Sequence, residues 1–306
     1  LAVRSKDGRF VRAETQFRDF VSADGSTGFK AEAGRYHLYV SLACPWAHRT
    51  LIFRVLKGLE DAISISVVDP FMADKGWSFG ESEGCIADPL FGARHMHEIY
   101  THARAEYSGR VTVPVLWDRT RGAIVNNESA EIIRMMNSEF VGIAKDSPDY
   151  CPDDLLSEID EINERVFTDI NNGVYRNGFA TTQEAYEEAF EQLFAALDWA
   201  EDKLSTGRYL CGDRLTEADW RLFVTLLRFD PVYVGHFKCN LRRIADYPCL
   251  SNYLRELYQI PGIAETCNFR HIKEHYYRSH ESINPTRIVP RGPEINLHHA
   301  HDRNRL

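Results

Sequence analysis

The sequence predicts two parts of different class: an α/β domain in the first half of the chain and an all-helical domain in the second. Three observations carry this. Short runs rich in aromatic and β-branched residues occur at 36–40, 63–68, 111–117 and 123–125, with helical spacing between them. Beyond Pro148 and Pro152 such runs nearly vanish, and apolar residues recur at helical spacing instead. The length of 306 residues, 44% hydrophobic and 26% charged, suits about two ordinary globular domains.

The first 34 residues mix charged, aromatic and small side chains around Gly25, Gly28 and Gly34, and read as an arm rather than a domain. Tyr36-His37-Leu38-Tyr39-Val40 has the composition of a half-buried strand. After it, Leu51, Ile52, Val55 and Leu56 keep helical spacing until Gly58 offers a stop. Ile63 to Val68 alternates as a second strand, parallel to the first because a helix joins them. From Asp69 to about Ser108 the pattern breaks into an irregular insertion, closed by a short helix near His95 to Tyr107; such insertions are usually functional or mobile. Val111 to Trp117 resumes strand character, with Pro114 expected at its beginning and a cis Val113-Pro114 bond compatible with that place. A turn at Asp118 to Gly122, a strand at Ala123 to Val125 and a helix from Ser129 to Phe140 follow. The order β-α-β, irregular connection, β-β-α is that of a thioredoxin-like domain, placed at 35–145.

In the second half, Tyr186, Phe190, Leu193, Leu197, Ala200 and Leu204 mark a long amphipathic helix that Gly207 can stop. Thr216 and Asp219 form a variant capping box for a helix from Trp220 to Phe229, apolar on nearly every side and expected in the middle of the helical domain. Helices at Pro248 to Gln259 and about Gly262 to Tyr277 complete a domain placed at 146–279. The Pro-rich tail, 280–306, is expected to wrap the surface or fray.

Cys44 in Ser41-Leu42-Ala43-Cys44-Pro45-Trp46-Ala47-His48 stands where the first strand gives way to the first helix. Pro45 suits the first turn, and the unpaired N–H groups and dipole of a helix start favour an anion, here a thiolate. Position 47 is alanine, so no Cys-x-x-Cys pair exists. Redox chemistry at Cys44 is therefore monothiol: a mixed disulfide forms with an external thiol, and a second external thiol resolves it. The competing reading is a buried packing cysteine.

The net charge of −9 and pI near 5.8 argue against a nucleic-acid or anionic-membrane surface. No apolar run reaches the ~18 residues of a membrane span. Seven scattered cysteines, an odd number without zinc-like pairs, and a start without an apolar leader point to the reducing cytosol.

A thioredoxin-like half followed by a helical half, together with Val113-Pro114, Glu128-Ser129 and the capped helix at Thr216 to Asp219, resembles the cytosolic glutathione transferases. Cys44-Pro45-Trp46-Ala47 and Trp77 in its Gly-Trp-Ser-Phe segment narrow the resemblance to the glutathionyl-hydroquinone reductases, or xi-class glutathione transferases. That resemblance implies the glutathione transferase fold, glutathione as co-substrate without a metal, glutathionyl-hydroquinones as substrates, and a homodimer. It implies that Cys44 attacks the sulfur of the conjugate, in the cleft between the domains. Glu128 and Ser129 would bind the γ-glutamyl end of glutathione, and Val113 the cysteinyl part through its backbone. Trp77 and Arg110 would supply the remaining contacts, Arg110 facing a carboxylate. Tyr175 would donate and accept the proton on the hydroquinone side, while Tyr233 and Tyr276 (rather than Tyr277) would help hold the thiolate. The alternatives are omega-like thioltransferase or dehydroascorbate reductase work, and a non-catalytic scaffold of the same fold.

Three other features carry less chemistry. His48, one turn after Cys44, reads as a surface histidine rather than a base. His298, His299 and His301 read as a solvated tail, and His271 with His275 has i, i+4 spacing but no third ligand.

Overall fold

A computed structural model describes residues 3–306. The chain opens with two short pairs, β1 (Val3–Arg4) antiparallel to β2 (Phe10–Val11), and β3 (Val21–Ser22) parallel to β4 (Phe29–Lys30). There follow β5 (Tyr36–Val40), α1 (Pro45–Leu56), β6 (Ile63–Val67), α2 (Met96–Ala103), β7 (Val115–Asp118), β8 (Ala123–Asn126) and α3 (Ser129–Ser138). The helical part holds α4 (Leu156–Arg165), α5 (Gly173–Gly178), α6 (Gln183–Thr206), α7 (Glu217–Arg228), α8 (Val234–His236) and α9 (Pro248–Tyr258); α10 (Phe269–Ser279) comes last. Contacts divide the chain into two units. One contains Thr15–Asp149 and Glu265–Val289; the other contains the residues through Glu14, Tyr150–Ala264 and Pro290–Leu306.

The first unit is built on a four-stranded sheet of order β6-β5-β7-β8, with β5 parallel to β6 and antiparallel to β7. Every residue of β5 is buried, as a central strand covered on both faces requires. That burial includes His37, whose two ring nitrogens meet the hydroxyls of Ser64 (2.6 Å) and Ser66 (2.9 Å) on the neighbouring strand. Burial pushes this imidazole down to about 4, so it stays neutral in the sheet. Helix α1 stops at Lys57, and Gly58 takes the left-handed conformation (φ 61°) that only glycine adopts without strain. The Val113-Pro114 bond is cis, immediately before β7, and the strand itself is shorter than the sequence pattern suggested.

The insertion 69–95 is irregular but held at several points. The Tyr39 hydroxyl donates to buried Asp88 (2.9 Å), which also accepts the N–H groups of Leu90, Phe91 and Ala93, each at 3.0 Å. The sequence boundary put the helical domain's end at 279, whereas the contacts group Glu265–Val289, and α10 within it, with the sheet. The physical reason is a set of polar bonds from α10 to the insertion, described below. Helix α10 also begins at Phe269, seven residues later than the pattern near Gly262 implied.

In the second unit every residue of α7 except Arg221 is buried, as its all-round apolar sequence implied. Thr216 and Asp219 form the expected capping box. The sequence reading missed α4 and α5, because Glu158, Asp160, Glu161 and Glu164 dilute the apolar stripe and Asn171-Asn172-Gly173 reads as a breaker. These helices are joined by a π-helical stretch, Val166–Asn171, and a second one, Phe229–Tyr233, continues α7. The tail does not fray at its end. Arg303 is fully buried and donates to the carbonyls of Leu204 (2.6 Å), Gly207 (2.7 Å) and Arg208 (2.5 Å), capping the C-terminus of α6.

Candidate active site

Cys44 occupies the N-cap of α1, half-buried, with Pro45 opening the helix. Its thiol donates to the carbonyl of Val113 at 3.6 Å, so the residue before the cis proline lies directly beside the sulfur. Several other cysteines stand in a different setting. Burial holds the thiols of Cys85 and Cys211 up at about 11, and pushes those of Cys239 and Cys249 up as well. Those four remain protonated at neutral pH, whereas Cys44 has the N–H groups and dipole of a helix start at hand.

A second helix start stands in the same unit. Glu128 caps α3 by accepting the Ala130 N–H (3.2 Å), and its other carboxylate oxygen accepts the Thr15 hydroxyl (3.4 Å). Ser129, the first helical residue, is buried, and its Oγ meets no hydrogen-bond partner among the described residues. A buried hydroxyl left in that condition costs free energy unless something binds it.

One tyrosine ties the two segments together. Tyr100 is fully buried on α2; its hydroxyl donates to the Thr112 carbonyl (2.9 Å) and accepts from Thr112 N–H (3.2 Å) and Asn127 Nδ2 (3.1 Å). The residue before Val113 and the residue before Glu128 are thus fixed to one phenol, which burial keeps protonated. The sequence pattern gave no sign of Tyr100, since its role rests on three bonds to distant chain segments.

Trp77 is buried in the insertion, with its indole stacked on the ring of His275 (4.7 Å between centroids, 22°). Arg110 is exposed on the loop before Val113, with its carbonyl accepting from the Tyr107 hydroxyl (2.6 Å). Tyr276, on α10, is buried between the rings of His275 and His280, at 5.3 and 5.5 Å, whereas Tyr277 is half-buried. In the helical unit Tyr175 and Tyr233 lie 6.3 Å apart by ring centroids, and Arg12 lies over the Tyr175 ring at 5.0 Å. Tyr233 is the last residue of the second π-helical stretch, and Tyr175 lies in α5, four residues past the end of the first.

His48 is not a surface residue. It is buried, bonded through Nε2 to the Thr266 hydroxyl (2.8 Å) and 3.8 Å from Cys267 Sγ. Segment 265–289 covers that side of α1, which helical periodicity could not reveal. Arg49 lies over the Trp46 ring at 4.6 Å. Among the described residues His95, His97 and Glu98 bring donor atoms within 4.8 Å of one another. The cap of α2 accounts for that grouping, because Glu98 accepts the N–H groups of Arg94 (3.2 Å) and His95 (2.9 Å).

The family description "Glutathione S-transferase, N-terminal domain" matches residues 43–139, and "Glutathione S-transferase, C-terminal domain" matches 183–256. Glutathionyl-hydroquinone reductase PcpF of Sphingobium chlorophenolicum is 55% identical over 290 residues, 95% of this chain and 91% of that protein. This chain belongs to the xi-class glutathione transferases, the glutathionyl-hydroquinone reductase family. The glutathione-bound structure of YqjG from Escherichia coli K-12 superposes with a TM-score of 0.92 at 54% identity, covering 97% of this chain and 98% of that one. The xi-class transferase from Natrialba magadii gives 0.94 at 51%, covering 98% and 96%. The sheet with cis-proline and the helical remainder of this xi-class transferase are thus the two halves of the glutathione transferase fold. No helix among the described residues is long and apolar enough to cross a membrane.

Proposed function

We propose that the protein reduces S-glutathionyl-hydroquinones to hydroquinones at the expense of glutathione, with Cys44 as the nucleophile. The observation that carries this reading is the single thiol at the N-cap of α1, touching the carbonyl of Val113 and lacking a Cys-x-x-Cys partner. Cys44 thiolate attacks the glutathionyl sulfur. The carbon–sulfur bond breaks, its electron pair stays with the ring carbon, and a proton from Tyr175 replaces the sulfur there. Cys44 is left as a mixed disulfide with glutathione. A second glutathione passes its thiol proton to the Tyr175 phenolate and, as thiolate, attacks that disulfide, releasing oxidised glutathione and restoring the Cys44 thiolate.

In this reading Ser129 Oγ and the first N–H groups of α3 receive the γ-glutamyl carboxylate, and Glu128 pairs with its amine. The unmatched Ser129 hydroxyl supports that assignment. Val113 offers its backbone to the cysteinyl part, Trp77 packs on the tripeptide, and Arg110 meets a carboxylate. Tyr233 and Tyr276 donate to the Cys44 sulfur. The enzyme works as a cytoplasmic homodimer, without a metal.

The test is glutathione-dependent turnover of a panel of glutathionyl-hydroquinones, with Cys44→Ser alongside. The substitution should lower turnover roughly a thousandfold or more, and mass spectrometry of wild type incubated with conjugate alone should find glutathione on Cys44. Substantial turnover by Cys44→Ser would sink the mechanism. A protein of Schizosaccharomyces pombe named glutathione S-transferase omega-like 2 is 48% identical, so a simple glutathione mixed disulfide belongs in the panel. Faster reduction of that disulfide than of any conjugate would favour thioltransferase work.

A further inference from the structure

One face of α10 is bonded to the backbone of the insertion that carries Trp77. His271, His275 and Ser279 follow one another at i, i+4 and i+8, so their side chains line one face of the helix. His271 Nε2 meets the Glu83 carbonyl at 2.7 Å, His275 Nδ1 meets the Pro70 carbonyl at 2.9 Å, and Ser279 Oγ accepts from Met72 N–H at 3.0 Å. A carbonyl can only accept, so the ring N–H of His275 sits on Nδ1. That bond fixes the ring plane, and the fixed ring is the surface on which the Trp77 indole stacks, 4.7 Å away and 22° from parallel. Both rings are buried, so neither turns without opening this packing. At the other end, the Trp77 carbonyl accepts Met96 N–H at 2.9 Å, so the backbone of Trp77 is anchored to α2 while its side chain is set by α10.

We propose that His275 is a positioning residue for glutathione binding: it holds the Trp77 indole in the orientation that receives the tripeptide. The inference rests on the reading of Trp77 as a glutathione contact. His275 touches neither glutathione nor the reacting sulfur in this scheme; it acts through the indole. Its effect therefore falls on glutathione affinity and not on the chemical step.

Four single variants and one double variant test this in the full chain. His275→Ala removes the stacking surface and should raise the glutathione Kd, measured by calorimetry, roughly three- to tenfold, the range expected for one aromatic pair. Its kcat at saturating glutathione should stay within about twofold of wild type. His275→Phe keeps a ring face against Trp77 and should restore most of the affinity. His275→Asn keeps a donor for the Pro70 carbonyl but no ring, so it should fold, by its melting curve, and still bind weakly. Trp77→Ala should weaken binding at least as much, and Trp77→Ala with His275→Ala should be no worse than Trp77→Ala alone. Additive losses in the double variant, or a fall in kcat with unchanged Kd, would overturn the proposal; the latter would mean that His275 acts on its neighbour Tyr276. If Trp77→Ala binds poorly while His275→Ala and His275→Asn bind normally, the positioning role alone fails. If Trp77→Ala binds normally, the assignment of Trp77 fails and this inference falls with it.

Discussion

At the start of α7, Asp219 accepts from the Leu210 N–H (2.9 Å), the Thr216 N–H (2.8 Å), the Thr216 hydroxyl (3.2 Å) and the Tyr253 hydroxyl (2.8 Å). At the start of α3, Ser129 is just as buried, yet its hydroxyl meets no partner among the described residues. The sequence offers both places as helix starts with a hydroxyl and a carboxylate close together. Their difference lies in one group: the Asp219 carboxylate at α7 is fully engaged, although Trp220 Nε1 beside it meets no partner among the described residues, whereas the Ser129 hydroxyl at α3 is itself the group left without one. A satisfied buried network contributes stability and gives a unique packing; an unsatisfied one subtracts from stability until a ligand completes it.

The largest effect that would sharpen this comparison is at α7. Asp219→Ala leaves two backbone N–H groups and the buried Tyr253 hydroxyl without their acceptor, and should cost about 3–5 kcal/mol by denaturant unfolding. A loss below about 1 kcal/mol would mean that the network is not what holds the helix. The next effect depends on pH. Burial raises the Asp219 carboxyl to about 6, against its hydrogen bonds, while an unfolded aspartate titrates near 3.8. Between those values the folded chain binds the extra proton, so this residue's contribution is fully present below about pH 4 and is lost as pH rises through 6. Stability of wild type relative to Asp219→Asn should accordingly fall by up to about 3 kcal/mol from pH 4 to 7. A flat difference across that range would show the carboxyl to be unperturbed. The smallest effect is at α3. Ser129→Ala should raise the glutathione Kd roughly tenfold while leaving the melting temperature of the ligand-free protein unchanged or slightly higher, because it removes an unmatched buried hydroxyl. A drop in ligand-free stability with unchanged Kd would make Ser129 a structural group and erase the contrast with α7.

Much of both units could be read directly from the chain. Strand β5, the parallel β6, the helix stop at Gly58 and the Thr216–Asp219 box depend on neighbours within a few residues, and there the local pattern and the structure agree. Helices α4 and α5 escaped because an acidic helix interrupted by a π-helical stretch breaks the 3.6-residue period on which the reading depends. His48 was misread for a related reason: a helical wheel shows which face is apolar, not which segment covers it, and residues 265–289 lie more than two hundred positions away.

By itself the sequence determined the class of each half, the place of Cys44 at a strand-to-helix junction, and the lack of a Cys-x-x-Cys partner for it. These follow from short-range rules, backbone preference and side-chain spacing, which act before the chain is folded. Only the tertiary structure decided which buried groups find a hydrogen-bond partner and which do not. It put the Val113 carbonyl beside the Cys44 sulfur, joined Thr112 and Asn127 through Tyr100, and set the ring of His275 under Trp77. Hydrogen-bond satisfaction and ring stacking are properties of atoms brought together from distant positions, and no local period encodes them.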